Sequence, residues 1–183
     1  MRPIPTRDPA RHVPLLRLLH WLSAVLVLAT IPAGLVMVQE GLPRPLQDAL
    51  FLFHKNVGPV ILILVVARLT VRATCPVPPL PATLSRPQVL AAEAVHGLLY
   101  LCLVVMAVSG IVRVQAGGFP MELWDPLIGG LVPRDEALAA QAKAVHAWMR
   151  IPLIALILAH AGAAALHGLV LRDGVFRRIW PPF

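Results

Sequence analysis

Residues 144–170 read AVHAWMRIPLIALILAHAGAAALHGLV, one apolar run that carries His146, His160 and His167. A helix advances about 100° per residue, so the step from His146 to His160 returns to within roughly 40°, and the step on to His167 to within roughly 20°. All three histidines therefore lie on one helix face. At about 1.5 Å per residue, His146 and His160 stand about 21 Å apart along the axis, most of the way across a hydrocarbon core about 30 Å thick. One helix thus offers imidazoles at two depths, the arrangement that two haems stacked across a bilayer require.

The rest of the chain supplies the other helices. Of 183 residues, 58% are hydrophobic and only 14% charged, the composition of a membrane protein. Four apolar segments, about 15–38, 46–71, 88–114 and 138–171, are each long enough to span with some tilt. The expectation is a single all-α domain over 1–183, a transmembrane four-helix bundle. The opening MRPIPTRDPARHVP is too long and proline-broken for a signal n-region, and the first apolar run reads as a retained helix. Cys75 and Cys102 are isolated, so neither a CxxCH haem attachment nor a CxxC pair exists.

Charge orients the bundle. Arg2, Arg7, Arg11, Arg17, Arg68, Arg72, Arg86, Arg172, Arg177 and Arg178 face one side with Asp8, Glu93 and Asp173. Arg44, Lys55, Arg113, Arg134, Lys143 and Arg150 face the other with Glu40, Asp48, Glu122, Asp125, Asp135 and Glu136. The split is +7 against 0 and accounts for the whole formal charge of +7, so both termini are expected in the cytoplasm. The basic balance is a topology signal and calls for no nucleic acid.

Depth then sorts the imidazoles. His20 enters at the cytoplasmic level in RLLHW, and His160 returns to that level. His54, in FLFHKNVGP, shares the outer level with His146. Two pairs drawn from different helices follow, His20 with His160 and His54 with His146, which is four axial ligands for two b-type haems. Bis-imidazole ligation leaves no open iron position, so the chemistry is electron transfer. His96, at the inner depth, is an alternative ligand to His20 or His160. Met37 and Met149 near the outer level are alternatives to an imidazole there, or plain packing residues. His12 is expected to be solvated. His167, two turns beyond His160, is a quinone partner, a proton relay or an interfacial residue. Arg17, Arg68 and Arg72 inside, and Lys55 or Arg150 outside, are propionate partners or simply snorkelling side chains.

Smaller features complete the reading. Gly58, one turn beyond His54, leaves room for a flat macrocycle. Pro32 is expected to kink the first helix, and Trp21 suits an interface. The loop 115–141 contains a short amphipathic piece for the outer interface. LRDGVFRRIWPPF closes the chain as a basic, tryptophan-bearing membrane anchor.

Taken together, HW at the start of helix 1, the His-x-x-x-Gly of helix 2 followed by ARL, AVHGLLY in helix 3 and H-x13-H-x6-H in helix 4 resemble the prokaryotic cytochrome b561 family. The likeness is to its small four-helix type, which includes superoxide oxidase, and it covers nearly the whole chain. It implies a bacterial inner-membrane protein binding two b haems on His20, His54, His146 and His160. It also implies electrons passing from periplasmic superoxide to ubiquinone, with His167 at the quinone position. The outer face departs by summing to zero charge, and Lys55, Lys143 and Arg150 would have to supply any local field that draws an anion. A second class of function is an electron-transfer subunit whose outer loop docks a periplasmic redox protein, and a third is a haem-free protein whose histidines form a proton or metal path.

Overall fold

The computed structural model describes residues 11–182; the arm with Arg2, Arg7 and Asp8 lies outside the described residues. Four long helices form: α1 (Pro14–Val36), α2 (Arg44–Thr74), α3 (Arg86–Ala116) and α5 (Glu136–Ala165). Between the last two sits one turn, α4 (Asp125–Ile128). Proline at the first or second position starts α1, α2 and α3, where its missing N–H costs nothing. Ser85 and Gln88 close a capping box on α3, and the Asp135 carboxylate accepts from the Leu138 N–H at 2.9 Å on α5. α1, α2 and α3 begin and end within three residues of their expected spans, whereas α5 begins two residues early and its α-helical part stops at Ala165, six residues short of the expected 171. Pro32 and likewise Pro59 and Pro152 are carried inside continuous helices.

All four helices are long and apolar enough to cross a membrane, with mean hydropathy of 1.9 to 2.3 in their best windows. Their outward faces carry large bare aliphatics, Val25 at 63% exposed, Leu90 at 65% and Leu158 at 68% among them. In water that surface would be an aggregation liability; in hydrocarbon it is the solvated face. The chain is a multi-pass membrane protein, and lipid is its first partner.

Successive long helices run antiparallel. α1 packs on α2, α2 on α3, and α3 on α5. One end of the bundle therefore collects His20, Arg68, His96 and His160, and the other collects Gly34, His54, Gly110 and His146. Between the two levels lies an apolar layer of Val27, Ile61 and Val65, packed by Leu26, Val57, Leu103, Val104 and Ile157.

The two ends are closed differently. After Ala165 the last helix widens into a π-helical turn, Leu166–Leu171, capped by Arg172 in the left-handed region at φ 50°. The tail then folds back over the bundle. The Arg178 carbonyl accepts from the His12 N–H at 3.0 Å, and Trp21 Nε1 donates to the Ile179 carbonyl at 3.1 Å. Arg17 donates to the Pro181 carbonyl at 2.8 Å, and Trp180 stacks on Phe176 and meets Trp21 edge-on. The tail expected as a membrane anchor is thus a cap on the starts of α1 and of the 75–85 connector, where Arg178 reaches the Pro78 carbonyl. His12, expected to be solvated, is half-buried under it, and its imidazole is pushed down to about 4 by burial and then by Arg178 and Arg72.

At the opposite end, residues 117–135 lie across the bundle, fastened by the two residues that follow His54. Lys55 donates to the Pro120 carbonyl and to Glu122, both at 2.8 Å. Asn56 donates to Glu122 at 2.8 Å and accepts from the Leu123 N–H at 3.0 Å, while its carbonyl takes the Trp124 indole N–H at 2.8 Å. The hydrogen bond from Lys55, with that from Asn56, holds the Glu122 carboxyl down at about 2. A carboxyl depressed in the folded state contributes stability above its unfolded value and loses it only as pH falls through the folded value. The loop should therefore stay fastened from neutral pH down to about pH 2–4. Glu122→Gln should loosen it at pH 7, read as faster amide exchange at Leu123 and Trp124 with exchange in the α2 interior unchanged; unaltered exchange at Leu123 would refute this role.

Candidate functional site

The outer level is assembled from all four long helices. The rings of His54 and His146 lie 6.0 Å apart, centroid to centroid, crossed at 78°. His54 Nδ1 is 3.1 Å from the Thr30 carbonyl of α1, and His146 Nδ1 is 2.9 Å from the Met106 carbonyl of α3. A carbonyl can only accept, so each Nδ1 carries the proton and each Nε2 keeps its lone pair. Fixing Nδ1–H on a backbone acceptor is how a protein holds an imidazole in the metal-binding tautomer. Ser109 Oγ, 3.2 Å from His146 Nδ1 and 3.2 Å from the Met106 carbonyl, braces the second of these.

Both rings need a glycine beside them. A Cβ built on Gly34 would meet His54 Cε1 at 2.5 Å, and one on Gly110 would meet His146 Cε1 at 3.3 Å. Gly58 behaves differently: a Cβ there meets nothing within 4 Å, because it faces a cavity of about 350 Å³ whose walls include His54, Gly58 and His146. Two in-line imidazole–metal bonds of about 2 Å, with the ring radii added, put centroids about 6 Å apart. The outer pair has that separation, the right tautomers and an apolar cavity between, so these residues fit a haem on a bis-imidazole axis.

The inner level is more crowded. His20 and His160 lie 6.1 Å apart, crossed at 72°, but His96 is also present, 5.2 Å from His160. That second distance is too short for two in-line metal bonds, so separation favours the His20–His160 pair. Arg68 Nη2 is 3.0 Å from His20 Nδ1, and since a guanidinium only donates, this Nδ1 accepts. The neutral His20 ring then carries its proton on Nε2, the opposite of the outer pair. Metal binding through Nε2 requires Arg68 to turn away. The Nε atoms of Arg68 and Arg17 are buried without a partner, and such orphaned donors fit an anionic group at this level.

The remaining candidates separate clearly. Lys55 is spent on Glu122 and does not line the outer cavity, whereas Arg113, which sequence reasoning left unassigned, does so together with Lys143 and Arg150. Met37 lines that cavity and Met149 does not. His167 Nδ1 sits 2.5 Å from the Asp173 carboxylate. Burial alone would raise that carboxyl; the hydrogen bonds from His167 and the Val175 N–H outweigh it and hold Asp173 below its usual range.

The chain is 30% identical over 177 residues to cytochrome b561 homolog 2 of Escherichia coli (strain K12), spanning 95% of this chain and 93% of the relative. It is 28% identical over 163 residues to a probable superoxide oxidase CybB of Yersinia pestis, spanning 89% and 92%. To cytochrome b561 homolog 1 of Escherichia coli (strain K12) it is 28% identical over 170 residues, spanning 89% and 93%. The model of the family described as prokaryotic cytochrome b561, a family of b-type haem proteins, matches residues 11–182. A four-helix membrane bundle with imidazoles gathered at two depths is thus a membrane electron-transfer protein, and the chain belongs to the prokaryotic cytochrome b561 family.

Proposed function

We propose that the chain binds two b-type haems, the outer on His54 and His146 and the inner on His20 and His160, and moves electrons across the bacterial inner membrane from superoxide to ubiquinone. The observation that carries it is the pair of imidazole separations, 6.0 and 6.1 Å, at two levels about 21 Å apart along α5. The positive-inside split puts both termini in the cytoplasm, so the His54–His146 level faces the periplasm. Two superoxide anions each give up one electron and leave as dioxygen, and one quinone takes up both electrons and two protons. Bound haem supplies the one-electron relay between these reactions.

The chain's residues do the rest. Thr30 and Met106 orient the outer imidazoles, and Arg68 leaves His20 for a cofactor carboxylate inside. The apolar layer of Val27, Ile61 and Val65 keeps water from between the levels. His167, its Nδ1–H donated to Asp173, presents the Nε2 lone pair at the cytoplasmic end, where it accepts from a quinol O–H.

The test is a superoxide pulse on the purified, oxidised chain, followed in the visible spectrum with and without ubiquinone. A reduced b-type spectrum should rise quickly and decay only when quinone is present. A chain that dithionite reduces and superoxide does not would overturn the donor. It would leave a subunit that takes electrons from a protein docked on the outer loop, where Phe119, Leu123, Leu127 and Leu131 stand 64–75% exposed.

A further inference from the structure

The outer cavity has two unlike sides. Its α1 and α2 wall, with Val27, Ile31, Leu35 and Ile61 beside His54, carries no charge, whereas the α3 and α5 wall presents Arg113, Lys143 and Arg150. No acid lines the cavity, and none of these three cations has a hydrogen bond or ion pair among the described residues. Lys143 precedes His146 by three residues and Arg150 follows it by four, so both share its face of α5, one turn to either side. Arg113 follows Gly110 by three on α3, and Gly110 is the residue against which the His146 ring lies. Three uncompensated cations thus surround one imidazole in a mostly apolar cavity. Cations within a membrane-spanning helix are costly and as a rule answer an anion. Glu122 of the loop across this end is taken by Lys55 and Asn56.

Resting on the haem reading of this site, we infer that Arg113, Lys143 and Arg150 are the receiving site for the carboxylates of the outer cofactor. The carboxylate-bearing edge of the macrocycle would then face α3 and α5, and its apolar vinyl-bearing edge the neutral wall of α1 and α2. Lys55 takes no part. The same geometry makes the outer site selective: a tetrapyrrole with free carboxylates is held, and one with neutral esters is not.

The experiment compares haem with haem dimethyl ester. Both are titrated into the haem-depleted full chain in a His20→Ala background, so that loading reports the outer site, and binding is read from the Soret band. Charge-assisted hydrogen bonds are the strong ones, so the free acid should bind at least about tenfold more tightly than the ester. Each of Arg113→Gln, Lys143→Gln and Arg150→Gln should shrink that preference, and Lys55→Gln should leave it intact. Equal affinity for acid and ester in the His20→Ala chain with all three cations overturns the inference without any cation variant having to fold. If acid and ester bind alike but the superoxide rate falls with added salt, the cations serve a small diffusing anion and the carboxylate assignment is wrong. A haem content that ignores His54→Ala overturns the pairing itself, and this inference with it.

Discussion

Replacing His146 by alanine should halve the haem content of the purified chain and leave a single bis-imidazole spectrum. His54→Ala should give the same product. The two rings form one axis, each is already in the tautomer a metal needs, and no spare imidazole lies at the outer level. Met37 and Met106 are the soft donors on the cavity wall, and capture of the iron by either would be seen as an altered spectrum with the haem retained. Added imidazole should refill the His146→Ala cavity and restore the original bands. His20→Ala and His160→Ala should each remove the other haem. The informative control is His96→Ala, which should keep both haems, because His96 stands only 5.2 Å from His160. Haem counted by pyridine haemochrome decides each case, and two haems with unchanged spectra in His146→Ala would refute the outer pairing.

These expectations show which parts of the site were legible in the sequence. His54, His146, His20 and His160 were readable because helical geometry alone fixes depth: rise per residue and alternating direction need no side-chain contact. The helices were readable for a similar reason, since hydrocarbon allows few backbones other than an apolar helix. What depth cannot give is the partner across a helix interface. Lys55 looked like a cofactor cation because it adjoins His54, but consecutive residues point about 100° apart, and its direction takes it to Glu122. Arg113 drew no assignment, since the contact of Gly110 with His146 that brings it to the cavity depends on the packing of α3 against α5. Trp21 and Trp180 read as interfacial anchors because each has an apolar body and a polar tip. Their use on one another depends on a tail that turns only after the π-helical stretch, a widening that no residue pattern in LHGLVL announces.

The glycines give the sharpest steric prediction, and they divide in a way the sequence did not suggest. Gly58 was singled out as the residue that makes room, yet Gly34 is the one His54 cannot do without. A methyl on Gly34 would lie 2.5 Å from His54 Cε1 and 2.9 Å from Nδ1. That ring is also tied to the Thr30 carbonyl one turn earlier on the same helix, so it cannot retreat without losing its orientation. Overpacking of this kind costs about 1–3 kcal/mol. Gly34→Ala should therefore lower stability and strip the outer haem as thoroughly as His54→Ala. Gly110→Ala, at 3.3 Å from His146, asks for a shift of a few tenths of an ångström and should only weaken binding. Gly58→Ala should separate the two effects. Its Cβ meets no protein atom, and alanine is favoured over glycine inside a helix by about 1 kcal/mol, so the haem-free chain should become more stable. The same methyl stands in the cavity that the macrocycle is proposed to fill, so outer haem affinity should fall. Thermal melts of the haem-free variants, set beside Soret titrations, read both quantities. A Gly34→Ala chain that keeps two haems with unaltered spectra would show that His54 does not hold the outer iron from where it lies against α1.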